Sequence, residues 1–178
     1  SKGESHHCMH VLRNNINDSI TILDGVGGKH TCEIISFNKK EVRAQIIETI
    51  TTPKKTNHPH LIISPTKSQD RVEWLVEKSI EIGVDRISFV STKRTERKRI
   101  NMTRINKIAI SAMKQSKQYY LPCIDEITPL TSMLKNIEKK QRFIAHLNDD
   151  STIHLAKLYD DQSESCILIG PEGDFTQD

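Results

Sequence analysis

The spacing of apolar residues changes after about residue 60 of this 178-residue chain, and the change restricts the folds it can adopt. Beyond that point, short apolar runs alternate with longer segments whose apolar residues recur at helical spacing. Strands that alternate with helices in this way form a parallel sheet that helices cover on both faces. The predicted strands are residues 60–64, 86–90, 142–146 and 166–170. We therefore predict an α/β fold for this part of the chain.

Helices are predicted between these strands. In the first, the apolar residues from Val72 to Ile80 fall on one face, and Gly83 stands where a helix commonly ends in the left-handed conformation. A second helix is predicted over residues 103–118, where apolar residues again form a stripe. Shorter helices are predicted over residues 130–138 and 152–158.

The first 50 residues are rich in β-branched side chains. They contain three apolar runs separated by turn residues such as DGVGGK. The predicted strands are Ser19–Asp24, Thr31–Phe37 and Glu41–Ile47. Before them, the segment ESHHCMHVLR is predicted to form a short helix with Ser5 as its N-cap.

Residues 51–59 are polar, carry two prolines and show no apolar periodicity, which is typical of a linker. The sequence therefore predicts a β-rich domain over residues 1–50 and an α/β domain over residues 60–178. No apolar run approaches the roughly 20 residues of a membrane span, so no membrane partner is expected. The four cysteines form no C-x-x-C pair, which is typical of reduced thiols and predicts a cytoplasmic protein.

The tight turn GPEG, Gly170–Gly173, follows the last predicted strand. Open α/β sheets bind ligands beyond the carboxyl ends of their strands, and glycine lets a backbone come close to a ligand. An ordinary strand-to-helix turn has the same composition, so the spacing alone leaves both interpretations open. The usual glycine-rich nucleotide motifs and the G-x-S-x-G motif of hydrolases do not occur.

The segment TKRTERKR, residues 92–99, carries five positive side chains and one carboxylate just after a predicted strand. Clustered lysine and arginine suit contacts with nucleic-acid phosphates, although a solvated charged surface would look the same. In SHHCMH, His6 and His10 have the spacing of metal ligands, but no partner cluster follows, so no metal site is predicted. We expect His7, His10 and Arg13 to face RNA instead.

Five segments occur in an order that resembles one known family: HHCMHVLR, DGVGGKHTCEI, PTKSQDRVEWLVEKSIEIGV, ISAMKQSKQYYLP and ILIGPEGDF. The chain resembles the RsmE family, the 16S ribosomal RNA uridine-N3 methyltransferases of the SPOUT (trefoil-knotted) class. The resemblance extends from His6 to Phe175. It implies a small N-terminal PUA-like β-barrel that binds RNA and a knotted parallel α/β domain that binds S-adenosylmethionine and forms a homodimer through the knot. The family continues beyond GPEG, so residues 60–178 would lack the C-terminal part of that domain.

The resemblance also implies site residues. The cofactor pocket would be lined by Leu147, Ile169, Gly170, Pro171, Glu172, Gly173 and Phe175. The RNA-binding residues would be His7, His10, Arg13, Lys67, Arg71, Arg94, Arg97 and Gln115, the last near the catalytic cleft.

The implied reaction is methyl transfer to uridine N3 of 16S ribosomal RNA in the small ribosomal subunit, and it requires no metal. Arg13 and Glu172 are the catalytic candidates, the first for positive charge and the second as a proton acceptor. The alternative is a non-catalytic RNA-binding protein with a degenerate SPOUT domain. The basic segment fits both hypotheses equally well, whereas GPEG with Phe175 favours the enzyme.

Overall fold

The computed structural model describes residues 2–38, 41–54, 57–147 and 153–176. The chain forms two compact units, Ser1–Lys54 and Lys55–Asp178. Within the predicted linker 51–59, residues 55 and 56 lie outside the described part of the chain.

The first unit contains a three-stranded antiparallel sheet in the order β1-β2-β3. The strands are β1 (Ser19–Leu23), β2 (Gly28–Phe37) and β3 (Val42–Thr51). The Asp24 carboxylate closes the β1–β2 turn by accepting hydrogen bonds from the N–H groups of Val26 and Gly28, both at 2.8 Å. These bonds stabilise the ionised form and lower the pKa of Asp24.

The helix at the start of the chain differs from the prediction. Helix α1 (Lys2–His6) continues directly into a π-helical turn, His7–Val11. Ser5 therefore lies inside the helix and is not its N-cap. Its hydroxyl instead accepts a hydrogen bond of 3.2 Å from the N–H of Val42, at the start of β3.

The second unit is built on a five-stranded parallel sheet in the order β6-β5-β4-β8-β7. The strands are β4 (His60–Ile63), β5 (Arg86–Ser91), β6 (Cys123–Pro129), β7 (Gln141–Ala145) and β8 (Ser165–Ile169). The predicted α/β fold is confirmed, and four of the strands coincide with predicted ones. Strand β6 was not predicted, because its alternating polar residues hide its apolar pattern.

The described residues of this unit form three α-helices, which are α2 (Gln69–Glu81), α3 (Met102–Gln115) and α4 (Leu130–Lys135). The side chains of Ser68 and Asn101 cap α2 and α3 by accepting from N–H groups of the first turn. The predicted helix over residues 152–158 is wrong: the described part contains only a 3-10 turn, Leu155–Lys157, and residue 152 lies outside it. No helix of the described ranges is long and apolar enough to span a bilayer.

The core of this unit lies between the sheet and the helices. Ile62, Val90 and Leu168, from β4, β5 and β8, belong to one buried cluster. Phe175, which follows β8, packs against this cluster. The segment after the last strand is thus tied to the core by apolar contact.

A buried polar network lies at the amino end of the sheet, where the strands begin. His60 is 6% exposed, and its Nε2 lies 2.7 Å from the Ser88 hydroxyl. Ser88 donates to the Asp125 carboxylate, which Arg86 also binds through Nε and Nη2 at 2.7 and 3.0 Å. Since the Ser88 proton is used, His60 must donate from Nε2. Burial, with the nearby Arg86 charge, lowers the pKa of His60 to about 4.

We expect His60 to make folding sensitive to acid. Between pH 6.5 and 4 the unfolded chain binds a proton at His60 that the folded chain excludes, so stability is lost as the pH falls. Over this window, the free energy of unfolding should fall by on the order of 2–3 kcal/mol more in the native protein than in His60→Gln. Urea unfolding followed by the fluorescence of Trp74, the single tryptophan, measures the difference. An equal pH dependence of both proteins would contradict a neutral, buried His60.

Candidate functional site

The loops that follow β4, β5, β7 and β8 meet at the carboxyl end of the sheet. Strands β4 and β8 are neighbours, with Ile63 opposite Ile169. The N–H of Ser64 then donates to the carbonyl of Ile169 at 3.0 Å, which continues the pairing one residue past the strand. Two loops about 100 residues apart in sequence therefore start side by side.

The GPEG loop begins under the ring of Phe175. A Cβ atom on Gly170 would lie 2.8 Å from the nearest ring carbon of Phe175, closer than real Cβ contacts come. Pro171 is buried, and its carbonyl accepts from the N–H of Asp174 at 2.9 Å. Asp174 has a left-handed backbone with φ of 58°. The loop is therefore a tight turn in which Phe175 folds back over Gly170.

Asp174 connects this turn to the segment that follows β7. Its carboxylate accepts from the N–H of Leu147 at 2.9 Å and from the N–H of Phe175 at 2.8 Å. These hydrogen bonds, the one from Leu147 first, lower the pKa of Asp174. The Leu147 side chain is 82% exposed beside the turn. The exposed Leu147 side chain therefore lies next to the turn that contains Asp174.

The loop after β5 is joined to the loop after β4 by a buried hydroxyl pair. Ser64 and Thr95 are 1% and 2% exposed, and their hydroxyl oxygens lie 2.6 Å apart. The Thr95 oxygen also accepts from the N–H of Thr92 at 2.7 Å. The sequence does not single out these two residues, because serine and threonine are common after strands whatever their role.

Arg94 and Arg97, both predicted to bind RNA, contact the protein backbone. Arg94 Nη1 donates to the carbonyls of Gly173 and Phe175 at 2.5 and 3.3 Å. Arg97 donates from Nε to the carbonyl of Thr66 at 3.0 Å and from Nη2 to that of Lys67. Their guanidinium groups therefore connect the loop after β5 to both neighbouring loops.

The outer rim of these loops is charged and exposed. Arg71 Nη1 lies 3.3 Å from Glu172 Oε1, and Lys67 Nζ lies 3.2 Å from Glu96 Oε2. Both pairs are well exposed, so each contributes little to stability. The structure thus brings Lys67 and Arg71, both predicted to bind RNA, to the same end of the sheet as the GPEG loop.

The other predicted RNA-binding residues belong to the first unit and to α3. His7, His10 and Arg13 belong to the first unit and are exposed. Gln115 ends α3, and three residues later the Gln118 amide donates to the carbonyl of Glu81, just before the turn into β5. Gln115 therefore lies at the amino end of the sheet, away from the GPEG loop of the same chain. A catalytic cleft at the carboxyl end of one chain does not include it.

The amino end of the sheet contains a separate cavity of about 400 Å³. It is lined by His60, Arg86 and residues in and around α4, including Ser132 and Met133. The described ranges contain no group of three or more His, Cys, Asp or Glu residues arranged to hold a metal ion. The loops at the carboxyl end remain the candidate site, since they combine exposed backbone, apolar side chains and charge.

Two family models match the chain. A model of the RNA methyltransferase domain matches residues 53–178, and a model of the RNA methyltransferase PUA domain matches residues 1–47. The first match covers more than half of the chain. The chain belongs to the RNA methyltransferase family.

Relatives and solved structures agree with this membership. The ribosomal RNA small subunit methyltransferase E of Rickettsia conorii is 24% identical over 174 residues, which cover 97% of this chain and 71% of that relative. A probable rRNA-methyltransferase from Porphyromonas gingivalis superimposes with a TM-score of 0.90 and 32% identity, over 99% of this chain and 76% of that one. The resemblance inferred from the sequence motifs is confirmed.

A third match is to a ligand-bound structure. The ribosomal RNA small subunit methyltransferase E from Neisseria gonorrhoeae, bound to S-adenosyl methionine, superimposes with a TM-score of 0.86. The two chains are 26% identical, and the match covers 99% of this chain and 74% of that one.

The close approach of Gly170 to Phe175 can be tested by substitution. In Gly170→Ala the new methyl group would push Phe175 off the core, and we expect a loss of about 1–3 kcal/mol in the free energy of unfolding. Gly173→Ala is the matched control in the same loop, because among the described residues its Cβ would contact Arg94 alone, at an ordinary 3.4 Å. Thermal unfolding of both variants measures the difference. Similar losses of stability in the two variants would contradict the packing of the Phe175 ring against Gly170.

Proposed function

We propose that this protein transfers a methyl group from S-adenosylmethionine to N3 of a uridine in 16S ribosomal RNA of the small ribosomal subunit. The observation that carries the proposal is the set of linked loops at the carboxyl end of the sheet, in a fold that matches a structure bound to S-adenosyl methionine. Family membership supports an RNA substrate and a methyl-transfer reaction. We propose a cytoplasmic location, where such RNA is found.

The residues of the loops fit the proposed cofactor. S-Adenosylmethionine combines a flat heterocycle, a positively charged sulfonium and an amino-acid group. Leu147 offers an exposed apolar surface, the turn at residues 170–173 offers backbone hydrogen-bonding groups, and the Glu172 carboxylate offers a negative charge that would suit a cationic group. We propose that these residues, with Ile169 and Phe175, form the binding surface.

We further propose the architecture that the family resemblance implies. The first unit would be a PUA-like β-barrel that binds RNA, which the match of residues 1–47 to a PUA domain supports. The second unit would be a trefoil knot that forms a homodimer. His7, His10 and Arg13 would bring RNA-binding groups from the first unit, and Lys67 and Arg71 from the second.

The proposed reaction requires a deprotonated uridine. When bound, S-adenosylmethionine supplies an electrophilic methyl group, so that a C–N3 bond forms as the C–S bond breaks. Uridine N3 carries a proton in neutral water, and a side chain must favour its loss. Glu172 is exposed at the GPEG loop, where Arg71 orients its carboxylate, and it is the candidate to accept that proton. Arg13 is the candidate to stabilise the developing negative charge on the base.

Cofactor binding is the first test. Calorimetric titration of the purified protein with S-adenosylmethionine should show saturable binding. Leu147→Asp should weaken binding by about 10-fold, since losing an apolar contact of this size costs about 1.4 kcal/mol or more. Ile82→Asp is the matched control, because Ile82 is 80% exposed but lies after α2 at the other end of the sheet. The absence of saturable heat with the native protein would overturn the cofactor assignment.

The reaction itself is tested with small ribosomal subunits that lack the modification. Incubation with methyl-labelled S-adenosylmethionine, followed by nucleoside mass spectrometry, should yield N3-methyluridine. Glu172→Gln should lower kcat by about 100-fold or more if Glu172 accepts the proton. Label at another atom would overturn the N3 assignment, and a change in kcat below about 3-fold would exclude Glu172 as the acceptor. RNA binding without label would favour the non-catalytic alternative.

A further inference from the structure

We propose that Arg94 and Arg97 are positioning residues of the cofactor site, whereas the phosphate contacts of the basic segment come from Lys98 and Arg99. This inference rests on the proposed function, because it assigns roles within the same site. It divides the segment 92–99 into a part that holds the loops and a part that faces RNA.

Arg94 holds the end of the GPEG loop. Its Nη1 donates to the carbonyls of Gly173 and Phe175, which flank the left-handed Asp174. Two carbonyl oxygens that converge on one point repel each other unless a donor lies between them. A guanidinium group supplies that donor with a full positive charge, and charge-assisted hydrogen bonds are stronger than neutral ones. Arg94 therefore stabilises the backbone conformation of the turn.

Arg97 acts in the same way on the loop after β4. Its Nε and Nη2 donate to the carbonyls of the consecutive residues Thr66 and Lys67. These residues immediately precede Ser68, the N-cap of α2. The planar guanidinium holds these two donors at a fixed spacing, whereas the donors of a lysine ammonium all lie on one nitrogen.

Thr95 lies between the two arginines in sequence and fixes the backbone of the loop that carries them. It is 2% exposed, and its hydroxyl contacts both Ser64 and the N–H of Thr92. One short segment thus contacts the loop after β8 through Arg94 and the loop after β4 through Thr95 and Arg97. This arrangement places the GPEG loop relative to the rest of the carboxyl end.

The next two residues have a different environment. Lys98 and Arg99 are exposed at the end of the same segment. Exposed positive side chains beside the site suit the phosphate backbone of RNA. The segment therefore offers a natural comparison between cations of equal charge. The guanidinium groups of Arg94 and Arg97 bind backbone carbonyls, Arg94 from an exposed position, and the exposed Lys98 and Arg99 follow them in sequence.

Substitution by lysine separates the two roles, because lysine keeps the charge but changes the donors. Its Nζ lies nearer the backbone than Arg94 Nη1, which binds both carbonyls, and it lacks the fork that Arg97 uses. We expect Arg94→Lys to weaken S-adenosylmethionine binding by about 10-fold and to raise KM for the cofactor, with KM for the ribosomal subunit unchanged. Arg97→Lys should act in the same direction. Lys98→Gln with Arg99→Gln should leave cofactor affinity unchanged but reduce the salt dependence of RNA binding, by about 0.7–0.9 in slope for each charge removed. As a control, the thermal unfolding midpoint of each variant is compared with that of the native protein, and equal midpoints exclude a general loss of structure.

Hydrogen exchange of the protein without cofactor provides a second, independent measurement. Arg94→Lys should accelerate amide exchange in residues 170–175, where the turn loses its donor. Unchanged amide exchange of residues 170–175 in Arg94→Lys would overturn the inference. So would an unchanged affinity of this variant for S-adenosylmethionine together with a reduced salt dependence of RNA binding, and Arg94 would then be assigned to the phosphate contacts. If the native protein binds no S-adenosylmethionine, the proposed function fails, but the exchange result still decides whether Arg94 holds the loop.

Discussion

The parallel pairing of β4 with β8 is the interaction on which the candidate site depends. These strands are about 100 residues apart in the chain, yet they are neighbours in the sheet from His60 opposite Cys166 to Ile63 opposite Ile169. Parallel pairing places both carboxyl ends at the same end of the sheet, so the loops that follow must meet. The hydrogen bond from Ser64 to Ile169 extends the pairing into those loops. A weaker or shifted β4–β8 pair would separate the GPEG loop from the loops that follow β4 and β5.

Buried polar groups occur at both ends of this sheet and serve different purposes. At the amino end, His60 and Ser88 satisfy one another together with Asp125, in a network that lies far from the candidate site. At the carboxyl end, Ser64 and Thr95 join two loops. Buried hydrogen bonds of this kind are costly to break, because each leaves an unpaired group without water. The loops are consequently held by specific contacts as well as by the apolar packing of the core.

The alternation of strands and helices could be predicted from the sequence, since buried parallel strands are continuous apolar runs. Strand β6 could not be predicted, because Asp125 belongs to the polar network and interrupts the apolar pattern of the strand. The GPEG segment could be predicted as a ligand loop or a simple turn, because both need the backbone freedom of glycine, and glycine is visible in the sequence. The partners of Arg94 could not be predicted, because they lie 79 and 81 residues away in sequence. A guanidinium group has the same sequence signature whether it contacts phosphate or carbonyl oxygen.

Whether a positive side chain of a basic segment contacts RNA therefore depends on its environment in the fold more than on the number of such side chains. Residues 92–99 contain five positive side chains, and a count would assign all of them to RNA. Two of them, Arg94 and Arg97, already donate hydrogen bonds to backbone carbonyls. They keep their full positive charge and still contribute to the field that attracts a polyanion, but their donors are occupied and do not pair directly with phosphates. The modest net charge of +3 is consistent with basic residues that have structural as well as binding roles. RNA binding should therefore depend less steeply on salt concentration than five phosphate contacts would imply.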